Sequence, residues 1–225
     1  MKYKNIVKGR FVSRPNRFIA NVEIDGRRCV CHVKNTGRCR ELLTEGAEVL
    51  LEVSDNPNRR TAYDLVAVYK GDALINMDSQ APNRVLGEWI ASGGFEDVTY
   101  VKPECTYGGS RFDFYVEADG IKIFAEVKGV TLEEDGVVMF PDAPTERGVK
   151  HLRELTDAVK NGYGAYVFFV VQMETCSYFT PNVKTHPEFA KALGEARENG
   201  VCVRALNCKV TEDSLEIIGD IPVVL

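Results

Sequence analysis

Asp113, Glu126 and Lys128 are the residues of this chain whose types and spacing could do chemistry. They lie in two β-rich runs, residues 111–118 and 121–130, on either side of Asp119-Gly120. That dipeptide tolerates φ > 0 and suits a two-residue type I′ hairpin turn. Counting outward from it pairs Ala118 with Ile121, Tyr115 with Phe124, and Asp113 with Glu126. Like charges directly across an antiparallel pair, with Cβ atoms roughly 5 Å apart, destabilise the sheet unless something compensates. A divalent cation held by oxygen ligands is the natural compensation. Because side chains alternate along a strand, Lys128 shares the face of Glu126, whereas Phe112, Phe114, Val116, Ile123, Ala125 and Val127 form the opposite, apolar face.

A carboxylate pair for a metal, beside an ammonium that orients or deprotonates water, is the chemistry of metal-assisted phosphodiester hydrolysis. The expected metal is Mg²⁺ or Mn²⁺, held by Asp113, Glu126 and the Val127 carbonyl, with Lys128 positioning the attacking water. The Asp, then Glu-x-Lys arrangement resembles the PD-(D/E)xK nuclease superfamily, although Phe112 stands where that pattern has proline. On a strand, E-x-K is also a common solvated face. The register, together with Phe124 and Val130 on the side of the charges, favours a site.

The elements that must position these residues are bounded by composition. At 225 residues, 44% hydrophobic and 27% charged, the chain has the make-up of a globular protein with a real core. No apolar run approaches the ~20 residues of a membrane span, and residues 1–5 lead into a β-like segment rather than a signal peptide, so a cytoplasmic protein with no membrane partner is expected. Seven irregularly spaced cysteines argue for a reducing compartment. Cys29, Cys31 and His32 with Cys39 lack the paired spacing of structural zinc sites and read as core thiols on a strand. The net charge of −5 hides an asymmetry: residues 1–70 hold 14 Lys+Arg against 8 Asp+Glu, and the remainder is acidic. Such a split suits a nucleic-acid-binding module on an acidic body, or a chance clustering of surface charge.

Residues 6–13, 18–24, 27–34, 47–53 and 62–69 read as short strands, with Asp25-Gly26 closing a hairpin and a helical turn near residues 40–43. Five strands and a small helix are what an OB-type Greek-key barrel needs, a fold that commonly holds single strands. In this module Arg14, Arg17, Asn35 and Arg38 occupy loops as donors suited to phosphate and sugar, or simply as turn residues. A helix from about residue 80 to 90 carries Glu88, a candidate third carboxylate. A second helix, residues 146–161, places Arg147, Lys150 and Arg153 opposite its apolar stripe, as a phosphate-facing row or a solvated face. Residues 164–172 read as a central strand with Gln172 at its end, and a helix over 187–199 with strands at 201–210 and 215–218 completes an α/β alternation.

With Arg14-Pro15-Asn16-Arg17-Phe18, Asn35-Thr36-Gly37-Arg38, Ser110-Arg111-Phe112-Asp113-Phe114, Glu126-Val127-Lys128-Gly129-Val130-Thr131-Leu132 and Phe140-Pro141-Asp142-Ala143-Pro144-Thr145-Glu146-Arg147-Gly148, the sequence resembles the sugar fermentation stimulation protein (SfsA) family across essentially its whole length. The resemblance implies an α/β protein with an N-terminal OB-like barrel over residues 1–78 and a PD-(D/E)xK nuclease-like domain over 79–225. It further implies DNA as partner and a role in regulating sugar metabolism, notably maltose utilisation. The family's nuclease-like signature falls on Asp113, Glu126 and Lys128, with Glu88 a fourth member. The sequence thus supports two functions, a metal-dependent nuclease and a non-catalytic DNA-binding regulator. A third reading is a protein-interaction module using the acidic body.

Overall fold

In the computed structural model, which describes residues 1–225, the first five strands close on themselves. β1 (Ile6–Asn16), β2 (Ile19–Ile24), β3 (Arg27–Val33), β4 (Glu48–Val53) and β5 (Tyr63–Lys70) run in the order β3-β2-β1-β4-β5. Parallel pairing of β3 with β5 completes the barrel and removes its free edges. Asp25 and Gly26 both take positive φ, 49° and 73°, so Ile24 faces Arg27 in a two-residue hairpin. Alternation then turns Ala20 and Val22 of β2, and Cys31 and Val33 of β3, into the barrel core. All seven cysteines are free, and burial pushes the Cys31 and Cys39 thiols up to about 12, the state of inert core thiols. The expected helical turn at residues 40–43 is a single hydrogen-bonded turn, the Cys39 carbonyl accepting the Leu42 and Leu43 amides, and it buries Leu42 and Leu43. A short strand not anticipated, β6 (Ala73–Asn76), folds back on β5.

The second half is a six-stranded mixed sheet ordered β15-β14-β12-β9-β8-β7. Its strands are β7 (Val98–Tyr107), β8 (Ser110–Ala118), β9 (Ile121–Val130), β12 (Gly164–Val171), β14 (Cys202–Val210) and β15 (Leu215–Ile221). β10 (Leu132–Glu134), β11 (Val137–Phe140) and β13 (Tyr178–Pro181) form a small separate sheet, so the expected edge strand at 137–140 has its own partners. β12 pairs in parallel with both β9 and β14 and is covered on both faces. Phe168 and Val170 meet α1 (Ala81–Trp89), while Val167, Phe169 and Val171 meet α2 (Glu146–Lys160) and α3 (Pro187–Glu198). Such double coverage explains the uninterrupted apolar run. The α1 helix carries Pro82 in its first turn, where a missing amide costs nothing, and ends in a π-helical turn over residues 90–94, where Gly93 takes φ 101°. No helix is long and apolar enough to cross a membrane.

Barrel and α/β layers share one cluster of 35 buried apolar residues, from Val22 and Leu65 to Leu155 and Leu193. Polar ties cross the same junction: Gln172 Nε2 donates to Asn76 Oδ1 at 2.8 Å, and the Arg38 amide donates to Asp142 at 3.0 Å. The barrel loops themselves are tied by Arg14. Its guanidinium donates to the carbonyls of Arg17, Asn35, Gly37 and Arg38 at 2.6 to 3.0 Å. A planar five-donor fork can satisfy four carbonyls at once, which an ammonium on a flexible stem cannot. The expectation that Arg14 contacts nucleic acid is therefore corrected: the donors of both its terminal nitrogens are spent inside the fold, and Nε is buried. Replacing Arg14 by Lys or Ala should cost about 2 kcal/mol, read as a lowered urea midpoint with unchanged slope, and Lys should not rescue.

Candidate functional site

Asp119 and Gly120 take φ of 49° and 72°, and Ala118 faces Ile121 and Tyr115 faces Phe124, as counted from the sequence. The ladder ends at Phe114 opposite Ala125, so Asp113 and Glu126 are not a paired rung. Beyond it, β8 parts from β9 while staying paired with β7, where Glu104 adopts φ 55° between the Pro103–Phe114 and Cys105–Phe112 pairs. A left-handed residue inside a strand breaks the two-residue alternation. Phe112 consequently stacks near Phe124 and His151, at 5.7 and 5.8 Å between ring centroids, instead of joining Phe114 on the back face. This corrects the expected position of Phe112. Asp113 turns into the gap: Oδ2 accepts the Val127 amide at 2.7 Å, and Oδ1 accepts Nδ2 of Asn83, from the first turn of α1, at 2.7 Å.

Glu126 points from β9 toward α2 and is 4% exposed. Its Oε1 accepts from Lys128 Nζ at 2.6 Å and from His151 Nδ1 at 2.5 Å. Lys128, expected on this face, supplies the counter-charge, and His151 adds a second donor. Arg147, one turn earlier on α2, donates Nε to His151 Nε2 at 3.2 Å. That contact assigns the proton to Nδ1, where it is given to Glu126. Thr145 caps the helix by accepting the Gly148 amide, which fixes where Arg147 and His151 emerge. Burial, then the neighbouring charge of Glu126, hold the Asp113 carboxyl above its ordinary range. Burial alone would raise Glu126 as well, but His151 and Lys128 more than reverse it and hold Glu126 below its usual value. Two carboxylates with oppositely shifted affinities for a proton, one on each side of a strand gap, mark it as a candidate site.

Other expected residues lie elsewhere. Glu88 is exposed and binds the Met1 amine at 2.6 Å. It follows Asn83 by five residues, about 140° round the helix, so α1 cannot turn both to the strand gap. Asn83 takes the position expected of Glu88. Asn35 Oδ1 accepts the Gly37 amide within its own loop. Lys150 donates to the Gly109 carbonyl and Arg153 pairs with Glu188, leaving Arg147 alone of that row beside the carboxylates. His151 was missed because an interior histidine on an apolar stripe has no signature until its partner strand is placed. Its spacing of four from Arg147 was the one available signal.

The donor set suits a hard divalent cation. Glu126 Oε2 is buried and has no hydrogen-bond partner, which is unusual for a charged atom unless a ligand completes it. Asp113 adds oxygens with lone pairs beyond the two it has committed. A second group, Glu146, His186 and Glu188, brings its ligand atoms within 4.8 Å of one another. There, however, His186 Nδ1 accepts the Thr145 amide at 3.3 Å, so its proton sits on Nε2, the nitrogen facing Glu146, and Glu188 is held by Arg153. A cavity of about 460 Å³ lies near Met1, Glu88 and Trp89. Its amine is already paired with Glu88 and the Leu215 carbonyl, and no reactive set converges on it.

Comparisons with known proteins match this architecture in two pieces. Residues 12–77 match the SfsA N-terminal OB domain, and residues 80–214 match the sugar fermentation stimulation protein RE domain. A sugar fermentation stimulation protein homolog of Desulfitobacterium hafniense is 61% identical over 216 residues, covering 96% of this chain and 95% of that one. The homolog of Clostridium beijerinckii is 60% identical over the full length of both chains, 226 aligned positions. A solved structure of Pyrococcus furiosus SfsA, described as in complex with Ca²⁺, superposes with a TM-score of 0.90 at 27% identity, covering 100% of this chain and 98% of that one.

The opposed shifts at the strand gap make a pH prediction. Asp113 binds its proton more tightly folded than unfolded. Its ionised form therefore costs stability at neutral pH, and the cost disappears as pH falls through the folded pKa toward the unfolded value of about 3.9. In metal-free protein, the melting temperature of Asp113→Asn relative to the parent should be more favourable at pH 7 than near pH 4. A pH-independent difference would contradict this account.

Proposed function

The chain belongs to the sugar fermentation stimulation protein family, and from that premise we propose that it is a DNA-binding protein that hydrolyses phosphodiester bonds with a divalent cation. The observation that carries the reading is the buried, unpartnered Oε2 of Glu126 beside Asp113, with the Lys128 ammonium on the same face. The division of labour follows the chain: residues 1–78 bind and residues 79–225 hold the reactive groups.

Asp113, Glu126 and the Val127 carbonyl would hold Mg²⁺ or Mn²⁺, which supplies a polarised phosphoryl oxygen and an acidified water when bound. Lys128 orients the attacking water and offsets charge that develops on the phosphate. His151 holds Glu126 by one oxygen and leaves the other without a partner. Arg147 uses Nε on His151 and keeps its remaining fork of donors for a phosphate oxygen pair. The Ca²⁺ described for the Pyrococcus furiosus relative is consistent with an all-oxygen site of this kind.

A second reading, a DNA-binding regulator of sugar metabolism without catalysis, has one observation in its favour: Lys128 and His151 already meet Glu126 without a metal. A cleavage screen of single- and double-stranded DNA and RNA against Mg²⁺, Mn²⁺ and Ca²⁺ separates the two. Lys128→Ala should lower cleavage by roughly 10²–10³ while keeping the metal-dependent rise in melting temperature, and Asp113→Ala should lose both. Saturating Mn²⁺ at a hundredfold over its Kd should add about 2.7 kcal/mol to the parent's stability. Tight DNA binding with no cleavage under any metal would install the regulator.

A further inference from the structure

We infer that the barrel presents Arg17, Phe18 and Arg38 as a stacking platform for a single-stranded nucleic acid, an inference that rests on the nucleic-acid reading and narrows it to unpaired strands. Phe18 is 44% exposed at the β1–β2 turn, and the Arg17 guanidinium lies 4.8 Å from its ring centroid. An apolar ring alone on a surface is ordinary. This one is built in. The Asn16 side chain accepts both the Phe18 and the Ile19 amides, at 2.9 and 3.1 Å, and the Phe18 carbonyl accepts the Val33 amide at 2.7 Å. The ring therefore stands on a backbone that is held on both sides.

The charges beside it are fixed in the same way and left without partners. Arg14 ties the Arg17 carbonyl to those of Asn35, Gly37 and Arg38, so the two loops bearing Arg17 and Arg38 form one rigid body. Neither the Arg17 nor the Arg38 side chain makes a hydrogen bond or ion pair within the protein, although the chain as a whole is acidic. A guanidinium beside an exposed aromatic ring, with a second unpaired guanidinium on the loop tied to it, is the pairing that single strands select. The charge follows phosphates, and the π-face accepts any unpaired base, whereas a duplex hides its base faces.

The platform also leads somewhere. The Arg38 amide is fixed to Asp142, and Asn35 lines a cleft of about 50 Å³ together with Gly129 and Asp142. Gly129 directly follows Lys128. A strand stacked at Phe18 and held at Arg38 is thereby directed along a loop that abuts the end of β9, the strand that carries Glu126 and Lys128. Gly37 reinforces this, since a Cβ there would fall 2.4 Å from the Asp142 carboxylate, which would have to move and give up its contact with the Arg38 amide.

The test is anisotropy titration of labelled oligo-dT, oligo-rU and a blunt duplex of equal length in EDTA, across a range of KCl. Without divalent metal, binding is read independently of cleavage. Phe18→Ala, at an exposed position, should weaken single-strand binding roughly tenfold with an unchanged salt slope, leave the duplex within twofold, and be rescued by Phe18→Trp. Arg17→Ala with Arg38→Ala should instead flatten the salt slope by about one to two. The oligo-rU arm decides whether the sugar matters. Duplex binding that exceeds single-strand binding, or single-strand binding indifferent to Phe18, would overturn the platform and leave the nuclease reading standing. Absence of binding to all three would remove both.

Discussion

A carboxylate that is 4% exposed inside a sheet is costly unless its oxygens are met, and Glu126 imposes that condition on everything around it. Its strand, β9, sits in mid-sheet, so relief must come largely from neighbouring side chains. Lys128 supplies one contact from two residues along the same strand face, and His151 supplies another from α2. The helix must therefore lie across β9 in one rotation, which the Thr145 cap and the apolar stripe from Val149 to Leu155 secure. Compensation is still incomplete at Oε2. A protein selected for stability alone would have placed an apolar residue here.

Asp113 shows the same trade from the other strand. Had β8 and β9 stayed zipped, the two carboxylates would have faced each other as neighbours on a regular ladder. The left-handed Glu104 on β7 and the end of the ladder at Phe114 open a gap instead, and Asp113 spends hydrogen-bonding capacity on Val127 and Asn83. Local disorder of the ladder is thus what separates the environments of two like charges. Asn83 also links α1 to the gap, so three elements meet there.

The barrel is not an appendage. Its core is continuous with that under α2 and α3, and its loops reach the α/β domain through the Asp142 carboxylate and the buried Gln172–Asn76 contact. Arg14 makes those loops rigid by spending its donors on carbonyls. Positive charge in this module is divided between an arginine that builds and arginines that remain free. Charge counting treats the two alike.

Much was written in the sequence by itself. Asp-Gly turns at 25–26 and 119–120, with alternating flanks, carry both hairpins and their register, because φ > 0 at two successive residues leaves few other conformations. The apolar run of β12 and the span of α2 were equally legible, as were core cysteines, and the sequence alone singled out Asp113, Glu126 and Lys128 as a candidate set. What only the tertiary structure decided were contacts between elements far apart in the chain: His151 on Glu126, Asn83 rather than Glu88 on Asp113, Arg14 turned inward, and the face taken by Phe112. Periodicity assigns a residue to a face of its own element. Which other element covers that face, and where a strand leaves its ladder, depends on packing that no local pattern encodes.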